Sequence, residues 1–223
     1  VHLVHRMKRT PGTATNKLMA IRHQHIVRGI PDPLCDKQRV FIALHGAERL
    51  AGSVARKLPV TPGMMEWKAM RFWGSSNDTF IVYAHNVLAF FFGFRKSETI
   101  GAPGAEWSRK RVLMGADIGA RCRGVSVPHF KDGDEIVVHI KGSKTDQFNA
   151  GALRNLYVSG HDKLCVVKVM AECERRWPER FTTEQHLPLF RHDNGTMVKR
   201  EEVVAMIRMA ALALGVDPER LDQ

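Results

Sequence analysis

Between Phe80 and Phe94 the chain runs through fifteen residues of which only His85 and Asn86 are strongly polar. An apolar run of that length predicts a buried helix, and it falls short of the ~20 residues a membrane span needs. Asp78, near its start, suits the positive end of the helix dipole. Just upstream, Leu58-Pro59-Val60-Thr61-Pro62 opens another helix. Thr61 is a good N-cap, Pro62 fits the first helical position, and Gly74-Ser75-Ser76-Asn77 breaks the helix after about Phe72. Closer to the start, a helix is expected from Thr15 through Val27, ended by Gly29 and the Pro31/Pro33 pair. A second runs from Asp36 to about Arg49, where Val40, Ala43, Leu44 and Ala47 recur at helical spacing. Residues 1–14 lack sustained periodicity and read as a frayed start; Gly52–Lys57 reads as a basic linker.

From Gly124 the period changes to two. Val125 and Val127 begin a strand, and Lys131-Asp132-Gly133-Asp134 is a hairpin turn. Ile136, Val138 and Ile140 then share one face of the next strand. After a loop over Gly142–Gly151, Arg154, Leu156 and Val158 mark a third. Helices follow over Lys163–Trp177 and Arg200–Leu214, the latter stopped by Gly215, with an extended Leu187–Phe190 and an Asp193-Asn194-Gly195 turn between them. The expected fold is therefore α+β: a mostly helical domain over residues 55–223 with a small three-stranded antiparallel sheet. Residues 1–54 read as the C-terminal part of a preceding helical domain, too small to be stable alone. The chain opens on Val1 rather than Met and stops at Leu221-Asp222-Gln223 just after a helix, which reads as a fragment.

Charge narrows the partners. The 34 Lys and Arg against 23 Asp and Glu leave a formal net charge of +11, which favours a polyanion, nucleic acid before an anionic membrane surface. Cys35, Cys122, Cys165 and Cys173 show neither a close pair nor zinc-type spacing, so reduced intracellular thiols are expected. His23 and His25 would point to different faces of their helix and have no nearby carboxylate or cysteine, which argues against a metal site.

Candidate chemistry lies at the end of the apolar run, in Phe92–Ile100, FGFRKSETI, and in Gly142–Phe148, GSKTDQF. Arg95 sits where a rigid, buried element meets solvent, and a guanidinium held there can be aimed at an anion. Lys144 lies in the polar loop between two strands. Cleaving a phosphodiester without a metal requires cationic clamps on the non-bridging oxygens, a proton donor for the leaving 5′ oxygen, and a nucleophile. Arginine suits the first by its bidentate fork, and lysine on a loop tip suits the second. Arg95 and Lys144 are expected to converge on one DNA phosphate. A metal-dependent hydrolase built from scattered His and Cys residues finds no supporting cluster.

Four features resemble the tyrosine recombinase (phage integrase) family: LPVTP at 58–62, GFRKSE at 93–98, Ala116-Asp117-Ile118 before the strands, and GSKTDQF at 142–148. TATNKLMAIRHQHIVRGIPDPL is similar to the last helices of that family's core-binding domain, and PLFRHDNGTMVKREEVVAMIRMAALALGVDPERL to the part leading into its H-x-x-R box. The resemblance implies that Arg95 contacts the scissile phosphate, that Glu98 orients it or a neighbouring basic group, and that Lys144 protonates the leaving 5′ hydroxyl. It implies DNA strand cleavage and rejoining through a 3′-phosphotyrosyl link, in a DNA-bound homo-tetramer of a mobile-element integrase. No cofactor, small-molecule substrate or membrane is involved, and the protein is placed with the DNA in nucleus or nucleoid. The family's H-x-x-R box and nucleophilic tyrosine should lie beyond Gln223. Tyr83 falls inside the buried helix, Tyr157 reads as a packing residue in a strand, and Arg191-His192 lacks the box spacing. As it stands the chain would clamp a phosphate without cleaving it. The alternative is a non-catalytic DNA-binding relative that lacks the nucleophile.

Overall fold

The computed structural model describes residues 10–51, 58–100, 112–141, 151–218 and 221, with backbone alone at 96 and 97. The expectations for residues 1–9, the 52–57 linker and the 142–150 loop lie outside the described residues. The chain divides into two compact units, Val1–Arg56 and Lys57–Gln223.

The first unit contains two helices, α1 (Pro11–Val27) and α2 (Gln38–Leu50). α1 begins four residues before the expected Thr15, because the Thr10 side chain accepts from the Thr13 amide and Pro11 takes the first turn. α2 starts two residues later than expected. Asp36 has φ of 55°, a left-handed conformation that no helix interior admits. Among the described residues of this unit only Ala14 is a buried hydrophobic, so it has scarcely any core of its own.

The second unit is α+β and mostly helical. α3 (Pro62–Phe72) carries the expected cap, the Thr61 hydroxyl accepting from the Met64 amide at 3.3 Å. α4 (Asn77–Phe92) is the expected buried helix, shifted to begin just after Ser76. Residues Phe80 through Leu88 are buried on every side of it. α5 (Val166–Arg176) and α6 (Arg200–Ala213) complete the helical layer, and a single helical turn, Lys96–Thr99, follows α4. Arg176 ties α5 to the α3–α4 junction: its Nη1 donates to Ser75 O at 2.9 Å and its guanidinium lies 4.0 Å over the Phe80 ring.

The sheet has four strands rather than three, β1 (Ile118–Cys122), β2 (Val125–Val127), β3 (Glu135–Ile140) and β4 (Ala152–Tyr157), in the order β2-β1-β3-β4 with antiparallel neighbours. β1 pairs on both edges, Ala120 facing Val127 on one side and Ile136 on the other. The hairpin therefore lies at Arg123-Gly124, whose φ values of 50° and 81° suit a tight two-residue turn. Lys131–Asp134 belongs instead to the β2–β3 connection, part of it a 3-10 turn over Phe130–Asp132, because β1 lies between those strands. Ile118, Ala120, Ile136, Val138 and Ile140 join α4 and α5 in one core. All four cysteines are free thiols.

Candidate functional site

The end of α4 is fixed by glycine. Gly93 adopts φ of 64°, a left-handed cap that any other residue would strain, and the Phe94 amide turns back to Ala89 O at 3.1 Å. The chain leaves the helix at that point, and Arg95 stands just beyond it with its side chain 52% exposed. Glu98 is one helical turn away and 12% exposed. Its Oε2 accepts from the Arg95 amide at 2.9 Å and its Oε1 from Arg95 Nη1 at 3.3 Å. The two predicted residues are thus brought together, with Glu98 gripping backbone and side chain at once. Glu98 is itself anchored, since its carbonyl accepts from the Leu113 amide at 3.1 Å. At that exposure the ion pair contributes at most about 1 kcal/mol, so its consequence is orientation more than stability.

Lys144, the third predicted residue, lies outside the described residues. The strands that lead into and out of its loop are described. Ile140 pairs with Ala152 at the mouth, and Gly151 beside it has φ of 72°; a Cβ there would stand 2.6 Å from Ile140 O. Two residues further along β4, Arg154 Nη1 donates to Phe92 O at 2.5 Å, satisfying a carbonyl at the negative end of α4. The mouth of the loop is therefore tied by one side chain to the helix end from which Arg95 projects. On the β3 side, Lys141 is held by Asp117 Oδ2 at 2.6 Å and donates to Val112 O at 3.3 Å.

Neither Arg154 nor Lys141 was singled out from sequence. Arg154 served only to mark a strand, and the alternation that put Lys141 opposite the core face gave no hint of its partner Asp117. Lys68 was not singled out either, although helical spacing could have found it. Met64, Met65, Lys68, Ala69 and Phe72 share the buried face of α3, and a cation in that series is the anomaly helical spacing reveals.

The tyrosines differ from one another. Tyr83 is buried, with its hydroxyl donating to Lys163 O. Burial raises its pKa well above the ordinary value. Tyr157 was expected to pack; it is 64% exposed instead, because β4 is an edge strand with its outer face uncovered. It ends β4 at the side away from the loop mouth, about 10 Å along the strand from Arg154. Arg191 is buried and structural: Nη1 donates to Pro188 O at 2.6 Å and Nη2 pairs with Glu184. His192 lies between Asp78 and Glu202, at 3.0 and 3.1 Å. Among the described residues no group of three or more His, Cys, Asp or Glu could hold a metal ion, and no helix is long and apolar enough to cross a membrane.

No protein-family model matches the chain, and no curated protein matches it.

Proposed function

We propose that this chain is a duplex-DNA-binding domain of the tyrosine recombinase type, in which Arg95 clamps a backbone phosphate, Glu98 orients that arginine, and Lys144 acts on the same phosphate as proton donor to the leaving 5′ oxygen. The observation that carries the reading is the tie between Arg154 and Phe92 O, which holds the mouth of the Lys144 loop against the helix end that presents Arg95. A net charge of +11 supplies the long-range attraction for a polyanion. In the full reaction a tyrosine attacks the phosphorus, a 3′-phosphotyrosyl bond forms as the P–O5′ bond breaks, and the 5′ oxygen takes its proton from Lys144. The assembly is a homo-tetramer on DNA, and it works in whichever compartment holds the DNA.

The second reading, DNA binding without cleavage, is favoured by the tyrosines: Tyr83 is buried and Tyr157 stands at the far end of β4. Two assays test the readings. A fluorescent duplex followed by anisotropy across a salt series should bind tightly at low salt and weaken steeply; no binding at low ionic strength contradicts both readings. Incubation with nicked duplex, run on a denaturing gel, should give no protein–DNA adduct from this chain. An adduct lost on Tyr157→Phe would overturn the second reading and place the nucleophile on β4.

A further inference from the structure

A cavity of about 360 Å³ lies between α3, α4 and α6. Its walls are largely apolar, with Met65, Phe90 and Ile207 among them, and its polar end is made by Lys68, His85 and Asn86. No Asp or Glu lines it among the described residues; Arg208, exposed on α6, is its other charged neighbour.

Lys68 is fully buried, and among the described residues its ammonium makes one hydrogen bond, to Asn86 Oδ1 at 3.0 Å. Asn86 has nothing further to offer, because its amide nitrogen is engaged by Val82 O at 2.9 Å and Met206 Sδ at 3.8 Å. An ammonium carries three donors and needs a counter-charge when buried. His85 adds a second deficit. Its Nε2 meets Thr99 Oγ1 at 2.8 Å, while Nδ1 is buried with no hydrogen-bond partner among the described residues. In the tautomer in which Nε2 accepts from the Thr99 hydroxyl, Nδ1 carries the proton and is a donor. The surroundings hold both groups toward their neutral forms: burial pulls Lys68 down to about 7 and His85 down to about 3, with Lys68 adding to the effect on His85.

We propose that this cavity is a binding site for a small monocarboxylic acid with an apolar tail, its carboxylate taken by the Lys68 ammonium and the His85 Nδ1–H and its tail lodged against Met65, Phe90 and Ile207. A carboxylate is an acceptor with one negative charge, so it supplies in one group what both side chains lack. A neutral alcohol leaves the lysine uncompensated, and an amine is repelled by it. The volume is at the lower end of ligand pockets, about 300–1,000 Å³. At the ~30 Å³ that a water takes in the liquid, 360 Å³ holds roughly a dozen heavy atoms, the size of octanoate.

Sodium octanoate and 1-octanol, titrated calorimetrically into the whole chain at pH 8, test this. Octanoate should bind at one site, more tightly than octanol, and should take up close to one proton, read as a heat that varies with the buffer's ionisation enthalpy. The uptake follows because Lys68, titrating at about 7, is mostly neutral at pH 8 and must charge to hold the anion. Lys68→Met should weaken octanoate by roughly tenfold or more while leaving octanol unchanged. Ile207→Trp fills the chamber, keeps the lysine, and should abolish binding. No octanoate binding, equal affinity for octanol, or binding without proton uptake overturns the proposal. So does octanoate binding that is not weakened by Lys68→Met or that persists in Ile207→Trp. The wild-type proton uptake needs no variant, so a misfolded substitution leaves the test intact.

Discussion

Lys68 and Arg95 are two cations a short way apart in sequence with opposite surroundings. Lys68 is walled in beside Asn86; Arg95 projects into solvent, steadied by Glu98. For Lys68 the pH dependence has a definite sign. The folded lysine titrates at about 7 and the unfolded one near 10.5, so between those values the unfolded chain binds more protons and stability rises with pH. Below pH 7 the whole penalty, on the order of 4 kcal/mol, is present. His85, pulled down to about 3, adds a second rise between about 3 and 6.5. Lys68→Met should flatten the upper rise in a chemical-denaturation series and raise Tm at pH 6 by roughly 5 °C or more, the loss of the Asn86 partner offsetting part of the gain. An unaltered pH profile would mean that Lys68 is solvated. His85 and Asn86 stood out as the polar breaks in the apolar run; Lys68 was passed over, although its spacing from Met64 and Phe72 puts it on the buried face of α3. That the three meet around one cavity was not legible, because α3, α4 and α6 come together only through tertiary packing.

Between elements, the link with most consequence is the one from β4 to α4. Arg154→Ala removes the donor to Phe92 O and should cost about 1 kcal/mol, a fall of roughly 2–4 °C in Tm. If the tie also positions the Lys144 loop, duplex affinity should fall in Arg154→Ala by more than in Arg175→Ala, a charge-matched control on α5. Equal losses would reduce Arg154 to one basic charge among many. Gly93→Ala tests the other half of the corner. The new Cβ meets Arg154 Nη1 at 3.9 Å, an ordinary contact, so its cost is backbone strain at φ of 64°, about 1–2 kcal/mol by thermal melting. No change in Tm would show that the helix end relaxes without the left-handed cap. Helix positions were well marked in the sequence, since caps such as Thr61-Pro62 and an unbroken apolar run are local signals. The sheet was not. β1 is only five residues with a mixed burial pattern, and the turn that matters, Arg123-Gly124, is less conspicuous than the Lys131–Asp134 cluster beside it.

At the scale of the whole molecule, the basic excess and the Arg95 corner make one account. Under the proposed function, charge alone would give sequence-independent affinity for DNA, and the corner would add a fixed phosphate contact to it. Composition pointed to a polyanion as the expected partner, and the two motifs made Arg95, Glu98 and Lys144 candidates. The Arg95–Glu98 contact followed from their spacing on one turn, a local relation. Whether Lys144 reaches the same anion depends on loop 142–150, which no periodicity dictates. The decisive measurement is duplex binding by anisotropy over a salt series for wild type, Arg95→Ala, Lys144→Ala and the double variant. If both cations serve one phosphate, the slope of log K against log salt should fall by about 0.9 in the double variant and by clearly less in each single one, where the remaining cation still neutralises that phosphate. A fall of about 0.9 in each single variant and about 1.8 in the double variant, or none in the double variant, would contradict a shared phosphate.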